Sequence, residues 1–428
     1  MSGNHMKQLF LLSIFTLSLL FGGENSKIAN EDELIMRALW HAQRNEPNES
    51  YAIFDKLYKE TGSKQFLFKK ISLSLMASKD IEENLNELER WIKKNPNDIE
   101  SHRLILSLYL TQGMYVRAEK EIGILLSKSD DVLDLEIASN AWLYLKKPIK
   151  ALELLEDVYK KSKNDEIIAR IASLYNDPLM QRQKAINLLK EHEKNYGFSE
   201  VVSLELLDLY AKDMDVDAII ATTKNLYKNI NTEHYLQKVL QAYFIRKDIK
   251  GAIRFLEKNE IGETYLFDLY KQDNQFDKAV ALIDKFYAKD HNPQWIAQKA
   301  IMIYEGAKDK KDKAMIESVI GNFEKAFDLG VSDAIYLNYY GYTLIDNDIE
   351  IKKGLSAVKR AVFKDITNYY YLDSLAWGFY KLHDCDKAYR VMKHVVDIAG
   401  TNEPEVESHW TIIQKCHKAA NSEPKKSQ

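Results

Sequence analysis

The stretch from Asn338 to Val395 decides the fold. It reads NYYGYTL from Asn338, IKKGLSAVKRAV from Ile351 and YYYLDSLAWGFYKLHDCDKAYRVMKHV from Tyr369. Apolar residues recur at helical spacing in each piece, and polar turns separate the pieces. Gly341 and Ala376 stand at matched places 35 residues apart, and Gly354 and Ala388 at matched places 34 apart. A fixed step near 34 residues marks tandem helix–turn–helix hairpins. Small residues belong where the two helices of a hairpin cross closely, because a larger side chain would overpack the contact.

The same ladder extends upstream. Aligned on the small residue of each second helix, it runs Ser50, Asn84, Ala118, Ala151, Ala185, Ala218 and Ala252, with steps of 33 or 34 after Ala118. Ala279 follows only 27 residues later, which predicts a shortened unit between Gly262 and Asp290. One further unit fits before Gly354, with Trp295 in its first helix, Phe323 and Ala326 in its second, and a polar insertion from Lys308 to Lys313. Asn95-Pro96-Asn97, Asn176-Asp177-Pro178, Asn292-Pro293 and Asn402-Glu403-Pro404 supply turn signals between helices. No segment shows the alternation of a strand. The organisation expected is an all-α, right-handed α-solenoid over 24–420. The clearest repeats lie at 99–260 and 334–400, a capping helix at 403–420 closes the array, and a polar tail frays over 421–428.

With 46% apolar and 29% charged residues, the chain has enough apolar content for a core and is too apolar for disorder. Only 16 Gly and 7 Pro interrupt it, which suits long helical arrays. A net charge of −4 gives no general affinity for nucleic acid or an anionic membrane. The first 23 residues read differently. Lys7 precedes an apolar run from Leu9 to Phe21, then Gly22-Gly23-Glu24. This is the layout of a secretory signal, and the run is shorter than an ordinary membrane span. The mature chain is therefore expected to begin near Glu24 and to be periplasmic. Retention of 1–23 as an anchor is the alternative, and would hold the protein beside a membrane.

Catalytic signatures are missing: there is no HExxH, GxGxxG or P-loop spacing. No cofactor and no metal is expected. His192 in KEHEK lacks a second histidine one turn away and reads as part of a solvated helix face. His383, His394, His409 and His417 gather near the C-terminus, and their spacing reads as surface positions. Ser374 has no elbow glycines and is no nucleophile candidate. The basic clusters KKPIK, YKKSK and KDKKDK read as solvated helix ends and loops.

These residues resemble the tetratricopeptide repeat family. Leu372, Leu375, Ala376, Phe379, Ala388, Met392 and Val395 fill that family's pattern of large and small apolar positions in order. GYTL and LDSLAW also look like the C-terminal repeats of exported bacterial members. The resemblance implies a non-catalytic scaffold that holds a protein or peptide partner on its concave face. The runner-up is a subunit of envelope machinery, such as outer-membrane assembly, polysaccharide export or the flagellar motor. A cell-wall enzyme is the third class, and no catalytic set supports it.

In such a unit the first helix lines the groove. Between the packing positions of the last repeat, Tyr370, Asp373, Trp377 and Tyr380 are then expected to face inward. Asn338 and Tyr342 match one repeat earlier, and Asn140, Tyr144, Gln237 and Gln241 continue the face upstream. The alternative for Trp377 and the tyrosines is packing against the next helix. In the same architecture Cys385 and Cys416 lie at neighbouring helix ends, close enough to pair in an oxidising compartment; two unpaired thiols are the alternative.

Overall fold

The computed structural model describes residues 30–422. The expectations for 1–23 and for most of the 421–428 tail fall outside them. The described residues form twenty-three α-helices and no strand. The chain divides into two compact units at Leu236/Gln237.

The first unit holds six hairpins. They are α1 (Glu31–Gln43) with α2 (Pro47–Thr61), α3 (Lys64–Ala77) with α4 (Ile81–Lys94), and α5 (Ile99–Thr111) with α6 (Tyr115–Lys128). Then come α7 (Val132–Tyr144) with α8 (Pro148–Ser162), α9 (Asp165–Asn176) with α10 (Arg182–Tyr196), and α11 (Glu200–Asp213) with α12 (Val216–Ile230). Helix α13 (Glu233–Ile245) spans the division. The second unit continues with α14 (Ile249–Asn259), α15 (Glu263–Gln272), α16 (Phe276–Asp290), α17 (Gln294–Gly306) and α18 (Lys313–Asp328). It ends with α19 (Ala334–Asp346), α20 (Ile351–Lys364), α21 (Tyr369–Lys381), α22 (Cys385–Ala399) and α23 (Pro404–Ser422).

Local chemistry sets the helix ends. Asp131, Asn164, Ser199 and Asp215 cap the starts of α7, α9, α11 and α12 by accepting from free backbone N–H groups, and Asp312 and Asp384 do so for α18 and α22. Pro47 and Pro148 open α2 and α8, where a missing N–H costs nothing. Most turns inside hairpins place one residue in the left-handed region. Gly113 does this freely, whereas Lys146, Met214, Lys247, Asn274 and His383 do it against their side chains.

Within each unit, consecutive helices pack antiparallel, and first helices lie beside first helices: α5 on α7, α9 on α11, α19 on α21. This is the arrangement of a tandem hairpin solenoid. The crossing residue is the fourth of most second helices: Ser50, Asn84, Ala118, Ala151, Ala185, Ala252, Ala279, Gly354 and Ala388, all buried. The α19/α20 crossing is the closest. A Cβ on Gly341 would lie 2.6 Å from Val358 and 2.7 Å from the Gly354 carbonyl, and one on Gly354 would lie 2.7 Å from the Gly341 carbonyl.

Two matches are corrected. In α12 the fourth residue is Ile219, and Ile220, Thr223 and Leu226 are buried where Leu152, Leu155 and Val158 are buried in α8. Ala218 therefore sits one place early. In α18, Val319, Phe323 and Ala326 take the places of Gly354, Val358 and Ala361, each 35 residues on, so a valine occupies the crossing. The short unit is real in outline: α15 has 10 residues, against 13 in α17. The loop before α18 carries the insertion.

The first unit buries charge between its helices. Lys70 of α3 is fully buried and reaches Asp55 of α2 and Glu87 of α4, both at 2.7 Å. Arg103 of α5 grips the buried Asp134 of α7 with two hydrogen bonds, at 2.5 and 2.9 Å. Burial pushes the Asp134 carboxyl up, but bonds from Arg103 and Ser129 outweigh it and hold it below the ordinary range. His192 is also buried, which corrects the solvated reading. Its Nε2 donates to Asp165 and its Nδ1 accepts from Tyr159, both at 2.8 Å. Tyr159 and Asp165 lie on the two helices α10 packs beside, so the ring fills a three-helix junction.

Candidate interaction surface

The first helices of the second unit carry the expected groove positions. In α21, Asp373 and Trp377 stand one turn apart on the side that faces the following first helix and the groove. Neither is open. Helix α23 lays His409 on them: its ring stacks on Trp377 at 4.1 Å with planes 15° apart, and its Nδ1 donates to both Asp373 oxygens at 3.0 Å. Trp377 in turn donates its indole N–H to Asp346 at 3.1 Å. The expectation that Asp373 and Trp377 face a partner is corrected: they face the chain's own last helix. His409, read as a surface residue, is 5% exposed. The cause is that the array must end somewhere. Val406 and Ile413 of α23 bury the last apolar stripe of α22, and the side chains beside them cover α21.

The other expected residues are more accessible. Tyr370 is half exposed at 51%, Tyr380 stacks on Trp377 at 4.8 Å, and Tyr342 is half-buried. The Tyr342 hydroxyl donates to Glu405 in the first turn of α23. Burial, and then the Glu405 charge, hold that hydroxyl far above its ordinary value. Asn338, one turn before it, has an amide oxygen with no hydrogen-bond partner among the described residues. On α13, Gln237 and Gln241 are exposed, and Gln237 donates to the Tyr265 hydroxyl at 3.1 Å. In the first unit, Asn140 accepts from Arg170 at 2.5 Å, and Tyr144 is half-buried with its hydroxyl pushed up by burial.

Two features were not anticipated. One is a recess of about 340 Å³ between α15, α17 and α19. Phe267, Phe286 and Trp295 build its aromatic wall, with ring centroids 4.9 to 6.1 Å apart. Thr264, Asp268 and Lys271 border it from α15, and Gln298 donates to the Tyr336 hydroxyl at 3.0 Å. Gln298 is the fifth residue of α17, as Asn338 is of α19 and Asp373 of α21. The matched-position rule therefore reaches this recess once α17 is placed in register. The second feature joins Tyr304 at the end of α17 to Tyr339 of α19. Their rings meet edge to face at 6.3 Å, and Tyr339 donates to Glu305 at 2.8 Å. Burial first, then the neighbouring carboxylates, raise both hydroxyls well above the ordinary range.

Cys385, which begins α22, faces Cys416 of α23 with Cα atoms 5.6 Å apart and the sulfurs at bonding distance. His417 pairs with Asp386 at 3.0 Å and stacks on Tyr389 at 4.1 Å, while His383 and His394 are exposed. Among the described residues no group of three His, Cys, Asp or Glu is arranged to hold a metal ion. Ser374 donates to the Tyr370 carbonyl within its own helix.

No protein-family model and no curated protein matches the chain. Solved structures similar to it include a chain of the Naa15/Naa10 complex bound to HypK-THB, at 12% identity and a TM-score of 0.34. That match covers 90% of this chain and 66% of the other, just under two thirds. A chain of the Cut9-Hcn1 hetero-tetramer of the APC/C matches at 10% identity and a TM-score of 0.37, over 98% and 94% of the two chains. A thermophilic TPR protein of Thermus thermophilus matches at 12% identity and a TM-score of 0.31, over 42% of this chain and 99% of its own. Similarity at this level assigns no function or partner. The 34-residue step, the small residue at most crossings and the side-by-side first helices make this chain a tetratricopeptide-type helical repeat protein.

Proposed function

We propose that the protein is a non-catalytic scaffold whose second unit holds an extended peptide segment of a protein partner along its first helices. One observation carries this reading: the recess between α15, α17 and α19 lies on the first helices of three successive hairpins, with rings on its wall and polar groups on its rim. Rings supply contact area at low entropic cost. Gln298, Thr264 and Asp268 can exchange hydrogen bonds with an extended backbone, which otherwise brings unpaired N–H and C=O groups into the interface.

The test is affinity capture from cell envelopes with wild-type protein and a Trp295→Ala, Gln298→Ala variant. The variant keeps its helical melt and loses the partner. Recovery of the same partner at wild-type yield would refute the reading.

We also place the protein outside the cytoplasm, on the strength of Lys7 and the apolar run Leu9–Phe21. The approach of Cys385 to Cys416 suits an oxidising compartment. Cell fractionation with N-terminal sequencing checks this, and a cytoplasmic chain with an intact N-terminus contradicts it.

A further inference from the structure

We infer that the surface formed by the ends of α17 and α19 and the first turn of α23 receives a cationic side chain, Lys or Arg, carried by the peptide partner. This rests on the scaffold reading above and adds the chemistry of what is bound.

Three tyrosines and two carboxylates make the surface. Tyr304 and Tyr339 meet edge to face, and Tyr339 and Tyr342 donate their hydroxyls to Glu305 and Glu405. Each carboxylate thus has a neutral partner on one oxygen. Among the described residues neither Glu305 nor Glu405 has a hydrogen bond on its other oxygen or an ion pair with any Lys, Arg or His. Elsewhere in this unit, partly covered carboxylates are matched by cations: Glu257 by Lys278, Glu324 by Lys353 and Asp346 by Lys311. The negative charge at Glu305 and Glu405 is therefore left over. Tyr304, Tyr339, Tyr342 and Glu305 are half-buried and Glu405 is exposed, so the surface is formed and reachable.

Ring faces attract a cation, and partial burial strengthens the attraction. The chain already uses this chemistry at the rim. Lys310 lies 4.7 Å from the Tyr304 ring centre and donates to the carbonyls of Tyr304 and Glu305, leaving the Glu305 carboxylate unpaired. One repeat on, the matched positions Asp373 and Trp377 hold the donor-bearing His409 ring between a carboxylate and an aromatic face. Here the chain fills its own place; at Tyr342 the corresponding place is left to a visitor. An acidic segment would meet Glu305 and Glu405 head-on, and a purely apolar one would leave both carboxylates covered without a counter-charge.

The test uses the full chain and a phage library of random unstructured peptides. Wild type is compared with E305Q/E405Q, which keeps both tyrosine acceptors, and with W295A. The expected result is enrichment of Lys and Arg in peptides selected by wild type. Their binding should fall about tenfold in E305Q/E405Q, and by a similar factor when the selected Lys or Arg is replaced by norleucine. Unchanged helical melts confirm that E305Q/E405Q folds. If peptides bind and need Trp295, yet show no basic enrichment or ignore E305Q/E405Q, the cationic site is wrong and the scaffold reading stands. If acidic peptides are selected, the site is wrong as well. If no peptide binds wild type, both readings fall.

Discussion

Gln298 and Asp373 occupy the same place in their first helices, yet Gln298 borders an open recess while Asp373 lies under α23. The helix register aims both side chains at the same side of the array. What differs is the neighbour downstream. After α17 comes another hairpin, whose first helix packs alongside and leaves a gap over the aromatic wall. After α21 comes the terminal helix, which has no successor and turns His409 and Glu405 onto the surface before it. Direction follows from periodicity within one helix; exposure follows from what the next helix does.

The largest test of this contrast is a pair of tryptophan substitutions. Trp377→Ala removes a buried ring sandwiched by His409 and Tyr380, and should cost about 3–5 kcal/mol in a denaturant melt. Trp295→Ala, at a half-exposed ring, should cost far less and act on binding instead. Equal costs would mean that the two surfaces are covered alike.

The next effect concerns the tie that holds α23 down. A Cys385–Cys416 bond in protein from the envelope should make the oxidised form more stable than the reduced form by about 2–4 kcal/mol. Melts with and without reductant measure it. Intact mass after alkylation without reductant decides whether the bond is there, and two alkylated thiols would leave α23 held by packing alone.

Overpacking follows. Ala388 is fully buried at the α21/α22 crossing, so Ala388→Leu should cost about 1–3 kcal/mol. Ala419, exposed near the end of α23, should tolerate Leu at a small fraction of that. Similar shifts in thermal melts would break the register.

The smallest effect separates two matched polar positions. Asp373 accepts from His409, so Asp373→Leu leaves a buried donor unpaired and should cost about 1–3 kcal/mol. The Asn338 amide oxygen accepts nothing among the described residues, so Asn338→Leu should change stability by less than ~1 kcal/mol. A large loss at Asn338 would show that its amide has work in the folded chain.

The hairpins were legible because their signal is local and repeated. A small residue every 33 to 35 positions, with apolar neighbours one turn on, fixes which helix pairs with which. Register failed where the small residue was missing. Ala218 was one place off because Ile219 holds the crossing, and α18 could not be aligned because Val319 does. The recess at Trp295 was overlooked for the same reason. His192 and His409 were misread because burial of a histidine depends on partners far along the chain: Tyr159 and Asp165 for one, Asp373 for the other. The left-handed turns at Lys146, Met214, Lys247 and His383 carry no glycine, so composition does not announce them. Covering of Trp377 by α23 depended on where the array stops, and no spacing encodes that.

Lys70 bears on how freely such an array can be cut and rejoined. Its ammonium, fully buried in α3, is shared by Asp55 of the hairpin before and Glu87 of its own. A chain trimmed to begin at α3 would keep the apolar face of that hairpin but strand the ammonium with one counter-ion. A chimera that substituted a foreign first hairpin would need a carboxylate at the place of Asp55. Arg103 and Asp134 set the same condition between the third and fourth hairpins. The hairpins look interchangeable in their apolar pattern, but their buried charges admit only particular neighbours, so deletions at these joints would be felt as mismatches, whereas deletions elsewhere are limited mainly by the loss of shared apolar surface.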